Sequence, residues 1–354
     1  MTETPVILRY LQTATKERAS DIFIIAGRPL SMKINGKFVD FGERLMVSDT
    51  RKMLEEIYAL SNGRDFNLLL QRGDDDFSFA ISGLSRFRVN AYQQRGSLAA
   101  VIRVIALELP DPKALHIPDI VMEIADLTKG MILITGPAGS GKSTTMACMV
   151  DHINHTREGH IITLEDPLEY LHRHDKCIVS QREITIDSPT YLTSLRATLR
   201  QSPDVILLGE MRDYETIQTA MIAAETGHLL LSSLHTLGAA NTISRIIDVF
   251  EPKQQRQVAI QLSMVLQAVI SQQLVPDVDG NNIPVFEVML LNSAIRNMIR
   301  DDRIYQINGV ISTSAPGNMV SMDQGLLDLY KQGAITKETA LQYALNQETI
   351  RRKI

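Results

Sequence analysis

The run Gly136-Pro137-Ala138-Gly139-Ser140-Gly141-Lys142-Ser143 constrains this chain more than any other stretch, because it demands a strand, a glycine turn and a helix in that order. Gly136, Gly139 and Gly141 let successive backbone N–H groups turn inward around phosphate oxygens, and a following helix adds the positive end of its dipole. The apolar residues 131–135 predict the strand, and the helix is predicted to begin near Lys142. The motif assigns Lys142 to the β- and γ-phosphates of ATP and the Ser143 hydroxyl, with Thr144 behind it, to the phosphate and Mg²⁺ site.

At 354 residues the chain exceeds one ordinary compact domain, and two are expected. Its 44% hydrophobic and 22% charged residues are those of a globular protein with a real core. A net charge of -5 argues against nucleic acid as the main partner. Cys148 and Cys177 lie too far apart for a CxxC pair and are expected to be buried thiols in a reducing cytoplasm. Residues 1–5 show no export signal, and nowhere are there the roughly 18 consecutive apolar residues of a membrane span, so no direct membrane insertion is expected.

Residues 5–20 carry apolar side chains at helical spacing, and strands are predicted at 21–25, 32–34 before an Asn35-Gly36 turn, 77–81, 87–92 and 99–105. That is a small α+β domain, placed at 1–111. Leu109-Pro110-Asp111-Pro112-Lys113, with Pro118 behind, reads as a stiff linker. From 112 to 354 the pattern is α/β. Unalternating apolar strands at 131–135, 160–164, 205–208 and 229–234 fit a parallel sheet covered on both faces, with Ile217, Ala220, Met221 and Ala224 on a crossover helix. A helical addition is expected over about 290–354.

Phosphoryl transfer to water needs one carboxylate to hold the magnesium shell and another to orient the water. Glu165-Asp166-Pro167-Leu168-Glu169 follows one strand and Gly209-Glu210 another, where loops face the ligand in open α/β sheets. Glu165 and Glu210 are therefore the catalytic and metal candidates, and which of them is the base stays open. His235 ends the next strand and could reach a γ-phosphate or a water. His152, His155, His172 and His174 lack a third metal ligand at useful spacing and are expected at the surface.

Together, residues 136–145, 163–169, 199–213 and 224–236 resemble the Walker A, Asp, Walker B and His boxes of the type II/IV secretion ATPases, in that family's order. Residues 294–300, Ala-Ile-Arg-Asn-Met-Ile-Arg, resemble the C-terminal element of its pilus-retraction branch, as do 19–29 and 85–90 its N-terminal signatures. Phe23, Met298 and Asp301 depart from the branch pattern, where histidine, leucine and glutamate are usual. The resemblance implies a PAS-like N-terminal domain before a RecA-like P-loop ATPase domain, assembled as a homohexamer. It implies N-terminal arginines reaching phosphate, Arg95 and Arg103 being the candidates. It also implies an inner-membrane pilus platform protein and other pilus ATPases as partners, with the ring peripheral at the cytoplasmic face of the membrane. The alternative is an assembly ATPase of a pilus, competence or type II secretion system.

Overall fold

A computed structural model describes residues 5–34, 36–105, 109–315 and 318–354; the turn expected at Asn35 and the segment before Pro5 lie outside them. The chain divides into two compact units, Met1–Glu108 with Glu169–Leu171, and Leu109–Leu168 with His172–Ile354.

The first unit is a six-stranded antiparallel sheet in the order β3-β2-β1-β6-β5-β4. Its strands are β1 (Asp21–Ile24), β2 (Pro29–Ile34), β3 (Lys37–Arg44), β4 (Asp74–Ile81), β5 (Ser85–Gln94) and β6 (Ser97–Ile105). Helix α1 (Val6–Lys16) buries Ile7, Leu11 and Ala14, one stripe at helical spacing, and α2 (Val47–Leu60) buries Met53, Leu54, Ile57 and Tyr58. Short helix α3 (Asn67–Arg72) ends at Gly73, whose φ of 84° closes the turn into β4. Along β4 the alternation puts Asp75, Phe77 and Phe79 on the buried face. A carboxylate there requires partners, and Asp75 has them: Tyr58 Oη donates at 2.8 Å, Arg64 Nε and Nη2 each at 2.7 Å.

The second unit is a seven-stranded sheet ordered β13-β12-β7-β11-β10-β8-β9, parallel throughout except for the β12–β13 pair. The strands are β7 (Gly130–Thr135), β8 (Gly159–Glu165), β9 (Cys177–Glu183), β10 (Val205–Leu208), β11 (Leu229–Leu234), β12 (Leu266–Pro276) and β13 (Asn282–Leu290). The expected strands at 205–208 and 229–234 are seen with those bounds. Each apolar strand serves two cores, as burial on both faces requires. Met131 and Leu133 join Ile162, Leu164, Ile206, Leu208 and Leu230 on one side, while Ile132 and Ile134 join Ile161, Val205, Leu207, Leu229 and Leu231 on the other. Helices α4 (Asp119–Ala125) and α5 (Lys142–Thr156) cover the second face. The first is covered by α6 (Tyr191–Thr198), α7 (Tyr214–Glu225), α8 (Ala239–Asp248), α9 (Pro252–Val265), α10 (Ser293–Arg300) and α11 (Ile307–Ser312). Helix α7, with Ile217, Ala220, Met221 and Ala224 buried, is the crossover from β10 to β11.

The C-terminal addition consists of α12 (Met322–Lys331), α13 (Lys337–Tyr343) and α14 (Gln347–Arg351), with its own apolar cluster against Val275 and Val285. One buried carboxylate secures it. Glu287 on β13 accepts from Ala239 N–H at 2.8 Å and from Met322 N–H, so it caps the first turns of α8 and α12 together. Burial pushes its carboxyl up despite those bonds. Arg296, in the 294–300 element, donates to the carbonyls of Ser263 and Met264 at the end of α9, where a cation meets the negative end of the dipole. Among the described residues no helix is long and apolar enough to cross a membrane.

Burial works against the charge on Asp75, which is 4% exposed, but the bonds from Arg64 and Tyr58 outweigh it and hold the carboxyl below its ordinary range. A depressed carboxyl contributes stability above its unfolded pKa, and that contribution is lost as pH falls through the folded value. Asp75→Asn is expected to destabilise the first unit by about 3 kcal/mol, the low end for a broken buried pair because Arg64 still reaches water. Denaturant unfolding should show that deficit at neutral pH and a smaller one in acid; equal deficits at both would contradict it.

Candidate active site

The glycine loop is shaped by its neighbour in the sheet. Gly136, at φ 146°, passes so close to β12 that a Cβ there would stand 2.0 Å from the Gln272 carbonyl oxygen and 2.7 Å from Ser140 Oγ. Gly141, at φ 89°, would bring a Cβ 2.8 Å from Gln272 Nε2. The same glutamine accepts from Thr145 Oγ1 at 2.7 Å, so one residue of β12 fixes both ends of the loop. Gly139 at the apex has nothing within 4 Å of a Cβ position. Lys142 Nζ donates to the carbonyls of Gly136 and Pro137, each at 2.9 Å, and is therefore folded back onto its own loop. Ser140 Oγ is buried without a hydrogen-bond partner among the described residues. A buried orphan hydroxyl, a cradle closed to side chains and a lysine resting on neutral carbonyls fit a phosphate chain. The Ser143 hydroxyl, partly exposed, and the carboxylates of Glu165 and Glu210 form the hard oxygen set that Mg²⁺ takes.

The strands β7, β11, β10 and β8 are adjacent and parallel, so the glycine loop, His235, Glu210 and Glu165 all leave the same edge of the sheet. Glu210 is stitched in place through Gly209, whose N–H donates to Leu164 O at 2.8 Å and whose carbonyl accepts from Ser233 Oγ at 2.6 Å. Its carboxylate, 15% exposed, meets Arg212 Nη2 at 2.8 Å and His235 Nε2 at 3.5 Å. The acid of one sequence box and the histidine of another thus form one cluster. Glu165 accepts from Gln181 Nε2 at 3.5 Å. Asp213 caps α7 by accepting from Thr216 N–H at 2.9 Å, which is structural work.

In the first unit, Arg95 is exposed in the turn between β5 and β6, and Arg103 on β6 is paired with Asp21 at 3.2 Å. Cys148 and Cys177 are both buried free thiols, and burial, reinforced by Asp151 and Asp111, pushes Cys148 up to about 11. One expectation fails in part: His172 is half-buried and not fully at the surface. Burial pushes its imidazole down to about 4, and its Nδ1 is enclosed without a partner among the described residues.

Residues 3–314 match the model of the type II/IV secretion system protein family. The chain belongs to that family. It is 39% identical over 341 residues to the type IV pilus retractation ATPase PilT of Pseudomonas aeruginosa, spanning 96% of this chain and 98% of that one. It is 43% identical over 295 residues to a twitching motility protein of Neisseria gonorrhoeae, 83% of this chain and 79% of that one. A crystal structure of the pilus retraction motor PilT with bound ADP superposes with a TM-score of 0.89 at 44% identity, over 98% of this chain and 99% of that one.

Three residues of this candidate site carried no readable sequence signal of their role. Gln272 is contributed by a strand far along the chain, Arg212 lay inside a recognised box without an assigned partner, and Tyr191 packs beside Gly209 with only a helix-start signal at Thr190 to mark it. Gly136→Ala places a methyl on the Gln272 carbonyl, which backbone cannot yield cheaply. Binding of a fluorescent nucleotide should weaken at least ~10-fold, about 1.4 kcal/mol. Wild-type affinity in that variant would contradict the loop geometry.

Proposed function

We propose that this chain is a Mg-ATP-driven motor of type IV pilus retraction, acting as a homohexameric ATPase at the cytoplasmic face of the membrane. The observation that carries the reading is the meeting of Glu210 with His235 and Arg212 on the same sheet edge as the glycine loop. The PilT relatives at 39% identity over nearly the whole chain support the retraction role.

The roles follow from position. Residues 136–144 hold the phosphates, Lys142 moving from its loop carbonyls to the β- and γ-oxygens. Ser143, with Glu165 and Glu210 directly or through water, would hold Mg²⁺, which neutralises charge on the phosphate oxygens when bound. Water attacks the γ-phosphorus, the bond to the bridging oxygen breaks, and Glu210 takes the water's proton. Glu165 orients the attacking water and would hold the metal's water shell. His235, already within reach of Glu210, registers whether the γ-phosphate is present. Arg95 and Arg103 are the first unit's candidates to reach phosphate in the ring; Arg103, whose side chain is exposed, must then leave Asp21.

Differential affinity for ATP and ADP is what turns such a site into a motor, since a ligand shifts an equilibrium only by its affinity difference between states. The work is delivered to the pilus platform protein in the membrane.

The test is steady-state ATP hydrolysis with oligomeric mass recorded, Lys142→Ala and Glu210→Gln beside the wild type. Wild-type turnover as a hexamer, with both variants reduced by at least ~100-fold, is expected. Binding without turnover in the wild type overturns the motor reading. A deletion strain should keep its pili and lose retraction; loss of the pili themselves would point to an assembly motor.

A further inference from the structure

Gly209 separates β10 from the catalytic-edge glutamate, and its φ lies outside the left-handed region, so it is glycine for space and not for conformation. The space is taken by Tyr191. A Cβ on Gly209 would lie 2.8 Å from the Tyr191 phenol oxygen, 3.2 Å from Leu164 O and 3.5 Å from Glu165 Cα. The phenol oxygen therefore stands where the ends of β8 and β10 come together, each of which carries one acid of the site.

Tyr191 is held there firmly. It is the first residue of α6, whose start is fixed by Thr190 Oγ1 accepting from Thr193 N–H at 3.1 Å. Its ring packs against the large apolar cluster on that face of the sheet, to which Leu164 and Leu208 belong. A phenylalanine would fill that place equally well; the hydroxyl makes the tightest approach to the room that glycine leaves, with the Leu164 carbonyl next at 3.2 Å. Among the described residues the hydroxyl has no hydrogen-bond partner, and Tyr191 is half-buried, so its donor is available to a group at the ends of β8 and β10.

We propose that Tyr191 is a positioning residue for hydrolysis, its hydroxyl a neutral donor between Glu165 and Glu210 that holds the carboxylate accepting the proton of the attacking water. The role rests on the ATPase reading above. A phenol keeps its proton at neutral pH. It can only donate to an ionised neighbour, and the carboxylates can only accept. During turnover the water's proton goes to the carboxylate and the phenol proton stays where it is.

Tyr191→Phe removes one oxygen and keeps the ring. The expected result is a fall in kcat of about tenfold, the scale of one hydrogen bond to a charged group, with KM for ATP within twofold and the melting temperature unchanged. Gly209→Ala, which presses a methyl on the phenol oxygen, should lower kcat in the wild type and less so in the Tyr191→Phe background, because the two changes act on one contact. A kcat within twofold of wild type in Tyr191→Phe overturns the role, and so does a kcat that falls only together with the melting temperature. A wild type without turnover in the same assay overturns the ATPase reading instead, and the role with it.

Discussion

The approach of Gly136 to the backbone of Gln272 is the contact on which the site depends. With 2.0 Å between a would-be Cβ and that carbonyl, the loop can leave β7 at that point only through a residue without a side chain. Because β12 is paired with β7 up to Ser271, the residue before Gln272, the loop's shape is inherited from the sheet and not left to a flexible turn. Lys142 completes the arrangement by resting on the carbonyls of Gly136 and Pro137, a neutral berth it can exchange for phosphate oxygens of full negative charge.

The parallel order β7-β11-β10-β8 then does for charge what Gln272 does for shape. It delivers two acids, a histidine and an arginine to one edge, and the strand-to-strand bonds of Gly209 fix the glutamate between them. Glu210 is 15% exposed while Arg212 and His235 are 76% and 53% exposed, so the acid is anchored and its two partners are free to trade it for a ligand. Opposite charges held near the surface cost little to separate, which suits groups that must change partners in each cycle.

Much of this was legible in the sequence where the signal is local. The glycine loop, the apolar strands 205–208 and 229–234 and the crossover helix between them follow from periodicity and punctuation alone. The strands that escaped did so for physical reasons. Helix α9 ends at Val265 and β12 starts at Leu266, so the period changes without a glycine or proline to mark it. β3 shows no buried face, and edge strand β9 leaves Ile178 exposed, so neither has an alternation to read. Gln272 and Tyr191 matter through neighbours distant in sequence, and no local pattern carries such information. His172 was misjudged because burial is a tertiary property that a lone histidine does not announce. The meeting of Glu210 with His235 could be anticipated only as order along the chain, and its geometry needed the sheet.

The central claim is that the loop closed by Gln272 is a phosphate cradle whose lysine waits on its own carbonyls. A crystal structure with Mg²⁺ and a non-hydrolysable ATP analogue tests it directly. The account predicts the β- and γ-phosphates seated over residues 136–143, with Lys142 Nζ moved from the Gly136 and Pro137 carbonyls onto phosphate oxygens. Nucleotide bound elsewhere, or bound at the loop with Lys142 still on those carbonyls, would contradict it.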